Sequence, residues 1–203
     1  VPVVSYLALR GRCRICGEPI SIVYPVVEIA AGACYFFVAL HSPDKPALLK
    51  GIFLASALIV VFFIDLRHMI IPDAIVLPGL EIGLLIAVFE GRFWDSVLGA
   101  AAGIAVFTLI AEMAVGLFGR EGMGGGDVKL AGMIGAFVGA KLIFLVTFLS
   151  FLIGGIVVMP AVILGKRSMR DPIPFGPMLA CGALITLLTG DGILEAYLKL
   201  WTL

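Results

Sequence analysis

The chain has 203 residues, of which 62% are hydrophobic and 14% charged, with a formal net charge of zero and a mean hydropathy of +1.18. A soluble domain is about 45–50% apolar and about 25% charged, so no single core can hide this surface and the lipid bilayer must be the solvent. The balanced charge argues against nucleic acid as a partner, since binding a phosphate backbone needs an excess of Lys and Arg.

Residues 1–24 are the only sizeable polar stretch, cationic through Arg10, Arg12 and Arg14 and expected to be rich in loops. No cleavable signal peptide is visible, and the opening at Val1, without an initiator Met, is expected of a piece of a longer chain. Cys13 and Cys16 form a CxxC knuckle, a spacing suited to one half of a tetrahedral zinc site. Four ligands are needed, no second such pair is present, and His41 and His68 lie at the ends of apolar runs. The reading is half of a zinc ribbon whose partner lies upstream of Val1. Redox use lacks a surrounding thioredoxin-like βαβ pattern. Cys34 and Cys181 sit inside apolar runs, where small apolar packing is the default.

Apolar runs follow at 25–41, 48–65, 74–90, 95–118, 128–139, 141–164 and 176–198. They predict an all-α polytopic membrane protein with about six to seven membrane helices, residues 25–203 forming one transmembrane domain behind a cytoplasmic segment, 1–24. Several runs approach the ~20 residues that span a bilayer. The run 128–139 is too short to cross comfortably unless the loop before it dips into the membrane, where non-helical backbone survives only against protein or a water-filled cavity. With the N-terminus in the cytoplasm and the seven runs alternating, Arg10, Arg12, Arg14, Arg67, Arg120, Lys129, Lys166, Arg167 and Arg170 fall on one side. Lys45, Lys50, Arg92, Lys141 and Lys199 fall on the other, and nine against five is a positive-inside bias. This topology puts Asp65, Asp127 and the 165–175 loop on the same, cytoplasmic, side.

Asp65 comes directly after the run Ile59-Val60-Val61-Phe62-Phe63-Ile64. An ionisable group at membrane depth is costly and reads as a functional candidate; its ordinary use would be a helix-end Asp paired with Arg67 or touching interfacial water. Asp73, after Pro72, reads as a helix N-cap or first-turn acid. His68 reads as an interfacial residue. The glycine-dense stretch Glu121-Gly122-Met123-Gly124-Gly125-Gly126-Asp127 permits close backbone approach and leads into a short helix. Asp127 then lies near that helix's N-terminus, where an anion is favoured; a plain turn with an Asp N-cap is the simpler use. Glu28 and Glu112 lie within apolar runs, Glu112 placed to pair across the bundle and Glu28 at the interface. Ile173-Pro174-Phe175-Gly176-Pro177 is a rigid turn into the last helix.

Two carboxylates brought together can hold a water between them and share one proton, so that one serves as base and the other as acid. Asp65 ends a helix and Asp127 begins one, so the helix dipoles favour Asp127 as the more acidic partner and place the shared proton on Asp65.

These pieces together resemble the bacterial type IV prepilin peptidases, membrane aspartic proteases with a GxGD signature. The resemblance rests on Gly124-Gly125-Gly126-Asp127-Val128-Lys129-Leu130 and on Ile64-Asp65-Leu66-Arg67-His68-Met69-Ile70-Ile71-Pro72-Asp73. It also rests on Val1-Pro2-Val3-Val4-Ser5-Tyr6-Leu7 leading to the CxxC and Tyr24-Pro25-Val26-Val27-Glu28, and on residues 173–177. It implies that Asp65 and Asp127 are the catalytic pair, with Gly124, Gly126, Lys129 and Asp73 supporting the motif. It implies a multi-pass protein of the bacterial inner membrane whose active site faces the cytoplasm. There it would cleave the short basic leader of prepilins or type II secretion pseudopilins just before their hydrophobic helix, without a cofactor for proteolysis. It further implies a second activity, methylation of the new N-terminus with S-adenosylmethionine, and zinc at a CxxC region. Bifunctional members carry a first transmembrane helix and a further CxxC pair ahead of the region where this chain starts, and here only Cys13 and Cys16 are present. The glycines of residues 122–126 are expected to admit an extended substrate backbone, and Glu121 or acids outside the pair to attract the basic leader. The competing readings are a presenilin-like peptidase, an ion-coupled transporter using the two Asp, and a membrane methyltransferase without protease activity. Transporters usually show paired repeats with broken helices, and no internal repeat is seen here.

Overall fold

The computed structural model describes residues 2–118, 123–165 and 173–201. Its helices, in order, are α1 (Pro2–Ala8), α2 (Val23–His41), α3 (Lys45–His68), α4 (Asp73–Phe89), α5 (Phe93–Phe118), α6 (Gly125–Val138), α7 (Leu142–Ile163) and α8 (Gly176–Trp201). Each predicted apolar run becomes one helix, α2 to α8, with ends within three residues of those expected. Four stretches, Val23–His41, Lys45–His68, Phe93–Leu117 and Leu142–Pro160, are long and apolar enough to cross a membrane by length and composition. The Gly176–Gly190 stretch is apolar but shorter, and α4 has 17 residues. Large apolar side chains such as Phe36, Leu85, Phe148 and Ile156 face outward, as a lipid-bathed surface requires. The chain is an all-α, multi-pass membrane protein.

Residues 1–24 are rich in loops, with residues 9–22 outside any helix, and they also hold a short helix that the sequence does not announce: Pro2–Ala8 form α1, which packs on α2. The apolar Val3, Val4 and Leu7 within that polar stretch supply a short helical face.

Local chemistry sets the helix ends that matter for the site. Asp44 caps α3, its carboxylate accepting from the Ala47 N–H at 2.8 Å, and Pro46 occupies the first turn, where a missing N–H costs nothing. At the other end Met69 takes a left-handed conformation with φ 54°, its N–H donating to the Asp65 carbonyl. That termination, followed by Pro72, leaves Asp65 in the last turn of α3.

α6 is the central post of the bundle. At 14 residues it is about 21 Å long, and every residue from Leu130 to Gly139 is buried. Leu130, Met133, Ile134 and Phe137 meet Leu54, Leu58 and Val61 of α3, Val76 of α4 and Leu179 of α8 in one core. Against α5 the approach is backbone on backbone: a Cβ at Gly99 would collide with the Gly135 carbonyl, and one at Gly135 with that of Gly99. Such small-residue contacts replace the hydrophobic drive that is absent between helices in lipid.

The C-terminal end of α6 is clamped by a polar network. Lys50 donates to both Glu90 oxygens at 2.8 and 3.0 Å, and Arg92 reaches Glu90 at 2.6 Å, Asp95 at 3.1 Å and the Phe137 carbonyl at 3.1 Å. Asp95 accepts from the Ala140 N–H at 3.1 Å, and the Ser96 hydroxyl donates to the Ala136 carbonyl. Partial burial pushes the Glu90 carboxyl up, but hydrogen bonds and charge from Lys50 and Arg92 outweigh it and hold the group below the usual carboxylate value.

Candidate active site

The two sequence-flagged carboxylates converge at the opposite end of α6. Asp65 stands in the last turn of α3 with 4% of its surface exposed, and Asp127 in the first turn of α6 with 8%. Asp127 stands within range of the charge of Asp65, where α3 and α6 touch.

Each carboxylate is held by one backbone donor. Asp65 Oδ2 accepts from the Gly176 N–H at 2.9 Å. That N–H belongs to the first residue of α8, a position whose donors have no partner within their own helix. A Cβ at Gly176 would lie 2.7 Å from Asp65 Oδ2, so glycine is what lets the helix end reach the acid. The pairing with Arg67 that would have been an ordinary use of Asp65 does not form; Arg67 is exposed. Asp127 Oδ2 accepts from the Gly124 N–H at 3.2 Å. Asp127 is therefore the third residue of α6, bonding back to the capping residue Gly124, and is not itself the N-cap. Its other oxygen, Oδ1, is buried with no hydrogen-bond partner among the described residues. An orphaned buried acceptor is costly, of order 1–3 kcal/mol, and calls for a donor: a shared proton or a bound water.

Around the pair, Lys129 Nζ bonds both oxygens of Asp73 at 2.8 and 2.7 Å, tying the first turn of α6 to the first turn of α4. Asp73 has the expected first-turn place, with Pro72 as the capping residue. Gly126 permits a close approach, but from the chain itself: its Cβ position lies 2.9 Å from Ile71 Cβ. The loop between α3 and α4 thus lies over the start of α6. Gly124 and Gly125 are exposed and remain open to an incoming backbone. Behind Gly176, Phe107, Phe151 and Phe175 pack with ring centroids 5.0 to 6.2 Å apart.

Other expected residues stand apart. Glu112 is exposed on α5 and finds no partner across the bundle among the described residues; with Ala111, Val115, Met123 and Gly125 it lines a cavity of about 380 Å³ beside the start of α6. Glu28 is half-buried on α2, and its Oε2 is unpartnered among the described residues. His68 is exposed, as expected of an interfacial residue. Arg120, Glu121, Gly122, Lys166, Arg167 and Arg170 lie outside the described residues.

Cys13 and Cys16 form a tight knuckle. The Gly17 N–H donates to the Cys13 carbonyl at 3.0 Å and the Cys13 N–H to the Glu18 carbonyl at 2.8 Å, with Gly17 at φ 73°. The backbone N–H groups of Cys16 and Ile15, followed by the Cys16 side chain, lower the Cys13 thiol below its ordinary value, which favours the thiolate that metals bind. No group of three or more metal-ligating side chains forms among the described residues. The two thiols supply half of a tetrahedral zinc set, and two ligands alone do not fit the ion.

Sequence reasoning passed over two parts of this site. Gly176 and Ile71 stand in the stretches that carry the resemblance, but neither has a role assigned from the sequence: Gly176 reads as part of a turn, although the lack of a Cβ lets its free helix-start N–H come close to a partner, and Ile71 reads as apolar.

Residues 52–159 match the model of the type IV leader peptidase family, and residues 1–42 match the bacterial peptidase A24 N-terminal domain. The chain is 39% identical over 200 residues to a prepilin leader peptidase/N-methyltransferase of Aeromonas hydrophila, covering 98% of this chain and 69% of the relative. Its identity to the protein of that name from Bacillus subtilis (strain 168) is 34%, over 98% of this chain and 79% of the relative. For that of Stutzerimonas stutzeri it is 37%, over 98% and 70%. No solved structure gives a significant match.

Proposed function

The chain belongs to the type IV leader peptidase family, and from that premise we propose that it cleaves the leader of type IV prepilins or type II secretion pseudopilins with Asp65 and Asp127 as its catalytic pair. The observation that carries this reading is a pair of buried carboxylates from different helices, close enough for the charge of one to act on the other, one of which keeps an unpartnered oxygen.

The chemistry follows from that arrangement. A water held between the carboxylates gives a proton to the ionised one, and its oxygen attacks the scissile carbonyl. The protonated carboxyl gives its proton to the leaving amine as the C–N bond breaks. The Gly176 N–H fixes Asp65 Oδ2, while Asp127 Oδ1 meets the water or the shared proton. The helix-end positions favour the proton on Asp65, whereas the orphaned Oδ1 draws it toward Asp127, so the pair titrates as a unit. No cofactor enters this step.

The substrate's apolar helix would lie among the lipid-facing helices and present its leader to the end of the bundle that carries the dyad. The exposed Gly124 and Gly125 leave room for its backbone, and the cavity beside them carries Glu112, an acid outside the pair suited to a basic leader. Lys129 and Asp73 brace the first turn of α6. We place the protein in the bacterial inner membrane with the dyad facing the cytoplasm, residues 1–24 forming a cytoplasmic segment ahead of the peptidase domain, 25–203. A second activity, methylation of the new N-terminus with S-adenosylmethionine as donor, is proposed for the full protein from the relatives' printed name. The two-thiol knuckle carries no step of it.

The test is incubation of the purified protein, in liposomes, with a model prepilin and with a copy whose leader Lys and Arg are changed to Glu. The reading expects release of the leader as a discrete mass, slowed for the charge-reversed copy. An intact substrate would contradict the peptidase reading, and equal rates would remove Glu112 from leader recognition. Family membership does not favour the ion-coupled transporter.

A further inference from the structure

Residues 2–22 lead directly into α2, the first of the four stretches able to cross a membrane, and none of their side chains takes part in the peptidase reaction. On α1, Val3 and Tyr6 are half-buried, while Val4 and Leu7, one turn apart on another side, are 63% and 71% exposed. Tyr6 packs against Gly11, where a Cβ would lie 3.0 Å from its hydroxyl oxygen, so the helix and the hairpin that follows hold together. Arg10 and Gly11, left-handed at φ 53° and 71°, turn the chain into that hairpin. Its arms are joined by the Arg12–Pro19 bridge and by the Ile20 N–H, which donates to the Gly11 carbonyl at 2.8 Å.

Along the first arm burial alternates: Gly11 and Cys13 are half-buried, and Arg10, Arg12 and Arg14 are exposed. None of the three arginines pairs with a carboxylate among the described residues. Glu18 is the only acid between residues 2 and 24, so the segment is cationic on its own account. Of the acids whose side chains are not described, Glu121 and Asp171 stand in the sequence beside Arg120, Lys166, Arg167 and Arg170, four cations to two acids. Asp191 and Glu195 lie about 22 Å or more along α8 from Gly176, toward the other end of the bundle.

The place of this segment is fixed by α2. The Tyr35 and Ser56 hydroxyls of α2 and α3 meet at 2.8 Å, and these two helices are antiparallel neighbours joined by residues 42–44. The start of α2 is therefore at the same end of the bundle as the last turn of α3, which carries Asp65. A segment joined there to a membrane helix stands at the lipid–water boundary. Apolar side chains exposed beside unpaired cations are what that boundary accepts, the first in the acyl region and the second among the headgroups.

We propose that α1 and the hairpin are a docking surface for anionic phospholipid in the leaflet beside the dyad. Val4 and Leu7 enter the acyl boundary, and Arg10, Arg12 and Arg14 bind headgroup phosphates. Guanidinium meets phosphate through charge-assisted hydrogen bonds, and a leaflet with net negative charge attracts a basic juxtamembrane segment that a zwitterionic one does not. The segment ahead of α2 thus lies on the membrane instead of standing free in the aqueous phase.

The test places the full chain in nanodiscs of equal parts phosphatidylcholine and phosphatidylglycerol, with bromine on the acyl chains of one lipid or of the other. A Leu7→Trp substitution supplies a fluorescent reporter, and the unaltered protein, with Trp94 and Trp201, supplies the background. Bromine quenches an indole only at contact. The proposal expects the reporter to be quenched about tenfold more by brominated phosphatidylglycerol than by brominated phosphatidylcholine. Arg12→Gln should lower that preference severalfold, and changing Arg10, Arg12 and Arg14 together to Gln should abolish it with the melting temperature kept. High salt, which screens the headgroups without any substitution in the arginines, should weaken it as well. A reporter quenched by neither lipid would show that another part of the protein covers this face and would overturn the proposal. Equal quenching by the two lipids would overturn it too, leaving an apolar contact without recognition of charge.

Discussion

At Gly176 a single hydrogen atom in place of a side chain decides whether the N-terminus of α8 can hold Asp65. Replacing Gly176 by Ala puts a methyl group 2.7 Å from Asp65 Oδ2 and pushes the carboxylate off its donor. Misplacing a reacting group by about 1 Å costs on the order of 100-fold in rate, so Gly176→Ala should lose leader cleavage on that scale while staying folded. Gly155→Ala, on α7 where nothing lies within 4 Å of the added atom, is the control and should cleave normally. A Gly176→Ala protein with full activity would show that the Gly176 N–H does not position Asp65. The two acids were legible in the sequence because a carboxylate beside an apolar run stands out against its cost. Gly176 was not, since its contribution is a backbone N–H reaching a residue 111 positions away, and no side-chain pattern announces that.

Among the elements, α6 governs the rest, held by Lys129 and Asp73 at its start and by the Lys50, Glu90, Arg92 and Asp95 network at its end. Glu90 gives that network a pH signature. Its folded value lies below the unfolded value of about 4.3, the cations outweighing burial. The stability it contributes is therefore complete above the unfolded value and is lost as pH falls through the depressed folded value. Melting temperature followed from about pH 7 to pH 3 should drop on the acidic side for the wild type and less steeply for Glu90→Gln, which starts lower at neutral pH. Parallel curves would mean that the network does not support the fold. The seven apolar runs were readable from hydropathy alone, and so was the shortness of the run that becomes α6. Its burial on every side was not, because Gly99 and Gly135 read as ordinary membrane-helix glycines until their backbones are seen in contact. α1 was missed because the arginines after it masked a short apolar stretch.

For the molecule as a whole, the two ends of the bundle differ in kind. One carries the acid pair and the thiol knuckle; the other, at the far end of α6, carries the Lys50, Glu90, Arg92 and Asp95 network. The proposed orientation puts Cys13 and Cys16 on the cytoplasmic side, so a membrane-impermeant maleimide should label them in inside-out vesicles and not in intact spheroplasts. Labelling in spheroplasts would invert the topology. The acid pair also holds the central claim, and the most direct measurement of it is leader cleavage by Asp65→Asn and by Asp127→Asn beside the wild type. Removing either member of an acid–base pair costs at least about 100-fold, so both variants should be folded and inactive on a prepilin that the wild type cleaves. Cleavage near the wild-type rate by either variant would contradict the two-carboxylate mechanism.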